Sequence, residues 1–167
     1  MLRLAGLLLL WTLGLLTGQP ATAELAPSAT PPLVLKKGIE VVHAEFGLFN
    51  DESEPNKPTF VPANVVPYVP DQAYGWVVTF NTPGVRVHWK EEFPLPAAPA
   101  TWGESHEGTT QRVSPDRRTS VKEADATLPL GVLSNSWTVA PGDPKGRYVI
   151  RLFIDGKLVR TFEFEVR

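Results

Sequence analysis

The sequence predicts an all-β chain: an antiparallel sandwich of about seven strands with no disulfide. Stretches in which apolar and polar residues alternate recur along it, the period of strands with one buried face. Gly, Pro, Asn and Asp cluster between those stretches, where turns are needed. No cysteine occurs among the 167 residues, so packing alone must hold the layers together.

The first residues are a separate matter. Arg3 precedes an uncharged apolar run over residues 4–16, then a break at Gly18 to Pro20 and the small residues Ala21-Thr22-Ala23. A basic start, a short apolar run and a small-x-small site describe a cleavable secretory signal over residues 1–23. A retained membrane anchor is the alternative, but a span needs about 20 apolar residues, and Gln19-Pro20 end this run early. Without a cysteine, lipid attachment of the bacterial kind is excluded. Export to a bacterial periplasm or beyond is the expected localisation, with no stable membrane span after cleavage. The remaining chain carries 15 Lys+Arg against 18 Asp+Glu, a balance that gives nucleic acid no basic surface. Residues 24–37 are Pro- and Ala-rich without period and read as a flexible or extended arm. Residues 38–167 form one domain, large enough for a core.

Within that domain, residues 39–49 predict a strand with Val42, Ala44, Phe46 and Leu48 on one face and His43 and Glu45 on the other. Residues 50–58 are charged and proline-containing, hence a loop. Pro62, Pro67 and Pro70 limit residues 60–69 to a short edge strand. Residues 74–80 and 85–91 flank Asn81-Thr82-Pro83-Gly84, with Pro and Gly at the centre of a type II turn. A hairpin there would pair Phe80 with Val85, Val78 with Val87 and Trp76 with Trp89, leaving Arg86, His88 and Lys90 wet. Pro94, Pro96 and Pro99 bar residues 93–103 from a sheet interior. A long polar loop follows, with a short strand over 109–113 and a weak strand over 120–126. Residues 130–139 form a better strand, ending before the turn Pro141-Gly142-Asp143-Pro144.

The closing segment, residues 145–167, is the most legible. Two alternating runs flank Asp155-Gly156, and a two-residue type I′ loop is the first thought. That loop pairs Ile154 with Lys157 and sets an apolar face beside a polar one. A one-residue slip repairs the faces, which predicts a three-residue loop from Ile154 to Gly156 with Gly156 left-handed, and Tyr148 and Ile150 sharing a face with Leu158, Phe162 and Phe164.

About seven short strands of this kind suit an immunoglobulin-like sandwich, with a small closed barrel as the alternative. The run Trp137-Thr138-Val139, Pro141-Gly142, Gly146 to Val149, Asp155 to Leu158 and Phe162 to Val166 resembles the close of small exported bacterial immunoglobulin-like domains without an assigned function, and residues 42–47 are similar to their opening. The resemblance implies fold and compartment, and it carries no catalytic or binding residue.

Chemistry is sparse. His43, His88 and His106 are scattered without metal-ligand spacing, and His106-Glu107 lacks the second histidine of a zinc-helix motif. No serine sits in a nucleophile elbow, and no glycine-rich phosphate loop occurs. Glu91-Glu92 reads as a solvated strand end, because neighbouring strand residues point to opposite faces. The chain is therefore read as non-enzymatic and without a cofactor. Trp76, Trp89 and Trp137 read as core. Trp102, in the proline-broken stretch with Phe93 and Leu95 and close to His106, is read either as a plug over the open end of the sandwich or as a surface for a glycan or partner protein. Binding of another envelope protein is the leading reading, and a carbohydrate-binding module using Trp102 is the alternative.

Overall fold

The computed structural model describes residues 33–36, 38–50, 59–105 and 107–167, so the expected signal lies outside the described residues. The alternating stretches become β1 (Leu33–Lys36), β2 (Ile39–Asn50), β3 (Thr59–Pro62), β4 (Val65–Val66), β5 (Ala73–Phe80), β6 (Val85–Pro94), β7 (Thr110–Val113), β8 (Thr119–Leu128), β9 (Val132–Thr138), β10 (Gly146–Ile154) and β11 (Lys157–Val166). Seven of these are seven residues or longer, and those seven are the expected framework. The others are ladders of two to four residues at sheet edges.

Two sheets result, in the orders β1-β2-β5-β9, with β3 also against β2, and β4-β11-β10-β6-β8-β7. Separate orders make this a sandwich and not a closed barrel. The parallel pairing is β4 on β11, and the longer ladders are antiparallel. The Tyr148 hydroxyl, near the start of β10, donates to the carbonyl of Pro144 at 2.5 Å, the corner that immunoglobulin-like sandwiches build at this point of the chain. The architecture is an immunoglobulin-like β-sandwich.

Inward positions of both sheets fill the seam. Phe46 stacks on Phe164 with ring centroids 4.0 Å apart, Tyr74 tilts against both, and Phe162 tilts against Phe46. Further along, Trp76 meets Trp89 edge-on at 5.9 Å. Burying each such ring is worth roughly 1.5–3 kcal/mol, which is why a chain without disulfides can hold two layers.

Several expectations change in the fold. Residues 74–80 and 85–91 do not form a hairpin: β5 pairs with β2 and β9, and β6 pairs with β8 and β10. Residues 81–84 carry the chain from one sheet to the other, so Trp76 and Trp89 face each other across the seam instead of lying side by side. The alternation is the same for either arrangement, since both demand one buried face per strand. The closing hairpin holds the two-residue loop after all, with Asp155 and Gly156 both at positive φ and Ile154 opposite Lys157. The slip comes two residues later, at a bulge that sets Phe153 opposite Leu158 and Leu152 opposite Arg160. Ile150 then pairs with Phe162 and Tyr148 with Phe164, all buried, while Leu158 is 50% exposed. Tyr148, Ile150, Phe162 and Phe164 share a face as expected, Leu158 does not because it precedes the slip, and the device that aligns the four is a bulge outside the turn.

A second bulge lies between Val41 and His43, so Val41 is buried and Val42 turns out to solvent. Leu33–Lys36, within the stretch expected to be an arm, pairs with β2 and buries Leu35. Residues 120–126, expected to be weak, lie in β8, which pairs with β6 from Leu128–Val85 through Thr119–Pro94. That pairing carries Phe93 and Pro94 into an inner strand, because Pro94 stands at its last position where no further ladder bond is required of it.

Candidate functional site

Strict alternation along β6 sends Val85, Val87, Trp89, Glu91 and Phe93 inward. Glu91 is the polar member of that row and is 1% exposed. The opposite sheet supplies its partners: Trp76 Nε1 donates to Oε2 at 2.5 Å, Asn135 Nδ2 donates to Oε2 at 3.0 Å, and Trp137 Nε1 donates to Oε1 at 2.8 Å. Lys122, from β8, is buried beside it and lays its Nζ over the Trp137 ring at 3.6 Å. Burial pushes the Glu91 carboxyl above its ordinary value, and the three N–H donors and the Lys122 charge draw it part of the way back. Burial lowers Lys122, and Glu91 opposes that. The solvated reading of Glu91 is therefore corrected. The signal was present in the sequence, since Glu91 keeps step with Val87 and Trp89, but its acceptor role depends on three donors that come from another sheet.

Trp137 links this polar pin to a cavity of about 310 Å³. Phe93 forms its back, meeting Trp137 at 5.2 Å, Tyr148 at 5.6 Å and Trp102 at 5.9 Å. Trp102 in turn meets Trp137 edge-on at 5.8 Å. Burial raises the phenols of Tyr74 and Tyr148, so both stay neutral walls. Glu104 and Asp143 add carboxylates to the lining. Asp143 belongs to the turn expected at residues 141–144, where it accepts from the Ala140 N–H at 2.8 Å and is held above the usual carboxylate range by burial.

The outer wall, residues 95–102, is tied down from the β7–β8 turn. Trp102 Nε1 donates to the Arg117 carbonyl at 2.8 Å, Arg117 reaches back to the Ala100 carbonyl at 2.9 Å, and Arg118 donates to the Pro96 carbonyl at 2.6 Å. Arg117 stands at positive φ within that turn. The four residues grouped as a surface thus separate: Phe93 and Leu95 are buried at 1% and 6% exposure, Trp102 is half-buried, and His106 lies outside the described residues. Phe93 and Leu95 point inward because β6 keeps its alternation to its end and the arginines hold the following loop against the sheet.

The remaining candidates stand apart from this cavity. His43 pairs with Glu45 at 2.9 Å and His88 with Asp125 at 3.2 Å, both on exposed faces. Ser105 donates to Gln111. Among the described residues, no three His, Cys, Asp or Glu side chains are grouped to hold a metal ion.

The model of the PM0630 beta sandwich domain matches residues 44–167. Among solved structures, the chain is similar to an immunoglobulin-like protein from Pseudomonas aeruginosa, at 17% identity and a TM-score of 0.48, covering 75% of this chain and 92% of that one. It is similar at lower levels to the PmoD soluble domain from a Methylocystis species, at 13% identity, a TM-score of 0.40 and coverage of 74% and 90%. A Pseudomonas fluorescens alkylpurine DNA glycosylase bound to DNA with an abasic site analog gives 11% identity, a TM-score of 0.40 and coverage of 78% of this chain but 30% of that one. No curated protein sequence matches.

Proposed function

The chain belongs to the PM0630 beta sandwich domain family, and from that premise we propose that it is a non-catalytic, exported bacterial module that binds an extended segment of another envelope protein along β9. The observation that carries this reading is the character of that edge. β9 ends its sheet among the described residues, runs for seven residues as VLSNSWT, and contains neither a charge nor a proline. Sheet edges usually carry such features because unpaired N–H and C=O groups recruit other strands. The other edges of this molecule are guarded: β4 has two residues, β1 and β3 have four each, with Lys36 in the one and Pro62 in the other, and β7 has four with Arg112. A strand added to β9 would gain main-chain hydrogen bonds and read alternate side chains in the adjoining cavity. The apolar leader over residues 4–16 supports the exported compartment.

A carbohydrate platform needs an open aromatic face, and Trp102 is half-buried with two rings edge-on against it, which ranks that alternative second. The test places a photo-crosslinking residue at Ser134 or Ser136 in β9 and, as a control, at Thr161 in β11. All three are exposed in the fold. A discrete partner crosslinked from β9 and not from Thr161 is expected, and the double variant Ser134→Lys, Ser136→Lys should abolish it. Equal labelling from the control position, or none from β9, overturns the reading.

A further inference from the structure

The cavity beside β9 is built for more than a passive gap. Ser136, Trp137 and Thr138 of the edge strand are part of its lining, so a segment paired with β9 would run past its mouth. We infer that the cavity receives a cationic side chain, the ammonium of a lysine or the guanidinium of an arginine, from that extended segment; this rests on the β9 reading for its source and on the cavity itself for its chemistry.

Three features point to a cation. The walls are aromatic, with Trp102, Trp137, Tyr74 and Tyr148 presenting π-systems around one space, the surroundings in which a desolvated cation gains most. The charge is unbalanced toward acid: Glu104 and Asp143 line the space, and the cation in the lining, Lys122, already has the buried Glu91 beside it. Lys122 also supplies an internal precedent, since its Nζ lies 3.6 Å from the centre of the Trp137 ring. The volume of about 310 Å³ is at the small end of ligand pockets, room for one long side chain and not for an oligosaccharide. Asp143 fits the same picture: burial holds its carboxyl up, and an incoming positive charge would relieve that.

The test titrates the full chain with N-acetyl-lysine methylamide and N-acetyl-arginine methylamide, with N-acetyl-norleucine methylamide as the neutral control, following the indole N–H resonances by NMR. A cationic probe should saturate the Trp102 and Trp137 signals at least roughly tenfold more tightly than the neutral one. Glu104→Gln combined with Asp143→Asn should cost the cationic probes about tenfold and leave the neutral one unchanged. These two substitutions keep the size of each side chain and its ability to accept a hydrogen bond, so the fold is retained; Trp102→Phe, which preserves the wall, checks the part played by the indole. Equal binding of norleucine, binding of a saccharide in place of the amines, or no shift with any probe overturns the inference. Cation binding without β9 crosslinking would remove the edge reading alone, and crosslinking without cation binding would remove this one alone.

Discussion

The two halves of the seam are held by different physics. Around Phe46, Phe162 and Phe164 the sheets meet through the packing of aromatic rings, at distances down to 4.0 Å. Around Glu91 the same two sheets meet through a carboxylate that collects three N–H groups from the opposite side, next to a cavity. Apolar packing is tolerant of direction, whereas a buried carboxylate is satisfied only when its donors arrive in place. The dry half therefore supplies cohesion, and the polar half specifies how β6 sits over β5 and β9. Phe93 joins them, touching Trp137 on one side and Phe164 on the other.

The largest effect expected is from truncation in each half. Glu91→Ala leaves three buried N–H groups without an acceptor and Lys122 without its counter-charge, and should cost about 3–5 kcal/mol in denaturant unfolding. Phe164→Ala should cost a similar 3–5 kcal/mol through the cavity it opens. The comparison breaks if Glu91→Ala unfolds at the same denaturant concentration as the unaltered chain, since the pin would then be incidental.

A smaller loss is expected at the turn that closes the hairpin of β10 and β11. Gly156 is at φ +78° with open space around a would-be Cβ, so Gly156→Val brings backbone strain and no clash. A loss of about 1–3 kcal/mol is expected, read as a lower melting temperature. An unchanged melting temperature would show that the bulge at Leu158 and Val159 aligns the faces without help from the turn.

The smallest effect, and the one that separates the halves most cleanly, is on pH dependence. A carboxyl raised in the folded state binds its proton more tightly there than in the unfolded chain. Its contribution to stability is present in full below the ordinary value of 4.5 and is lost as the pH rises through the folded value. Stability should thus decline as the pH rises above that ordinary value, and Glu91→Gln should flatten the decline. Asp143 is raised in the same sense, so the slope shrinks without vanishing. Phe164→Ala should leave the slope unchanged, and a slope equally steep in Glu91→Gln would remove Glu91 as its source.

Much of this was legible beforehand, for reasons visible at particular residues. Tyr148, Ile150, Phe162 and Phe164 announced their buried face because period two is a local property. The left-handed Gly156 was likewise local, set by the residue that tolerates it. Glu91 was misread although its period was correct, because charge argued for solvent and the compensating donors lie 15, 44 and 46 residues away. The cavity was half-visible: Trp102 stood out, but Asp143, Lys122 and Tyr148 join it only through the meeting of β8, β10 and the 95–104 loop.

What the chain's own pattern determined is which side chains face inward along each strand, except where a bulge turned Val42 and Leu158 outward, and that no cysteine would secure them. What only the assembled sandwich decided is who meets whom: that Trp76 and Trp89 oppose each other across the seam instead of along a hairpin, and that a carboxylate finds three donors there. Alternation is a property of neighbouring residues and is read at short range. Strand partnership is a choice among distant segments with the same alternation, and it is settled by which arrangement buries the rings and satisfies the polar groups together.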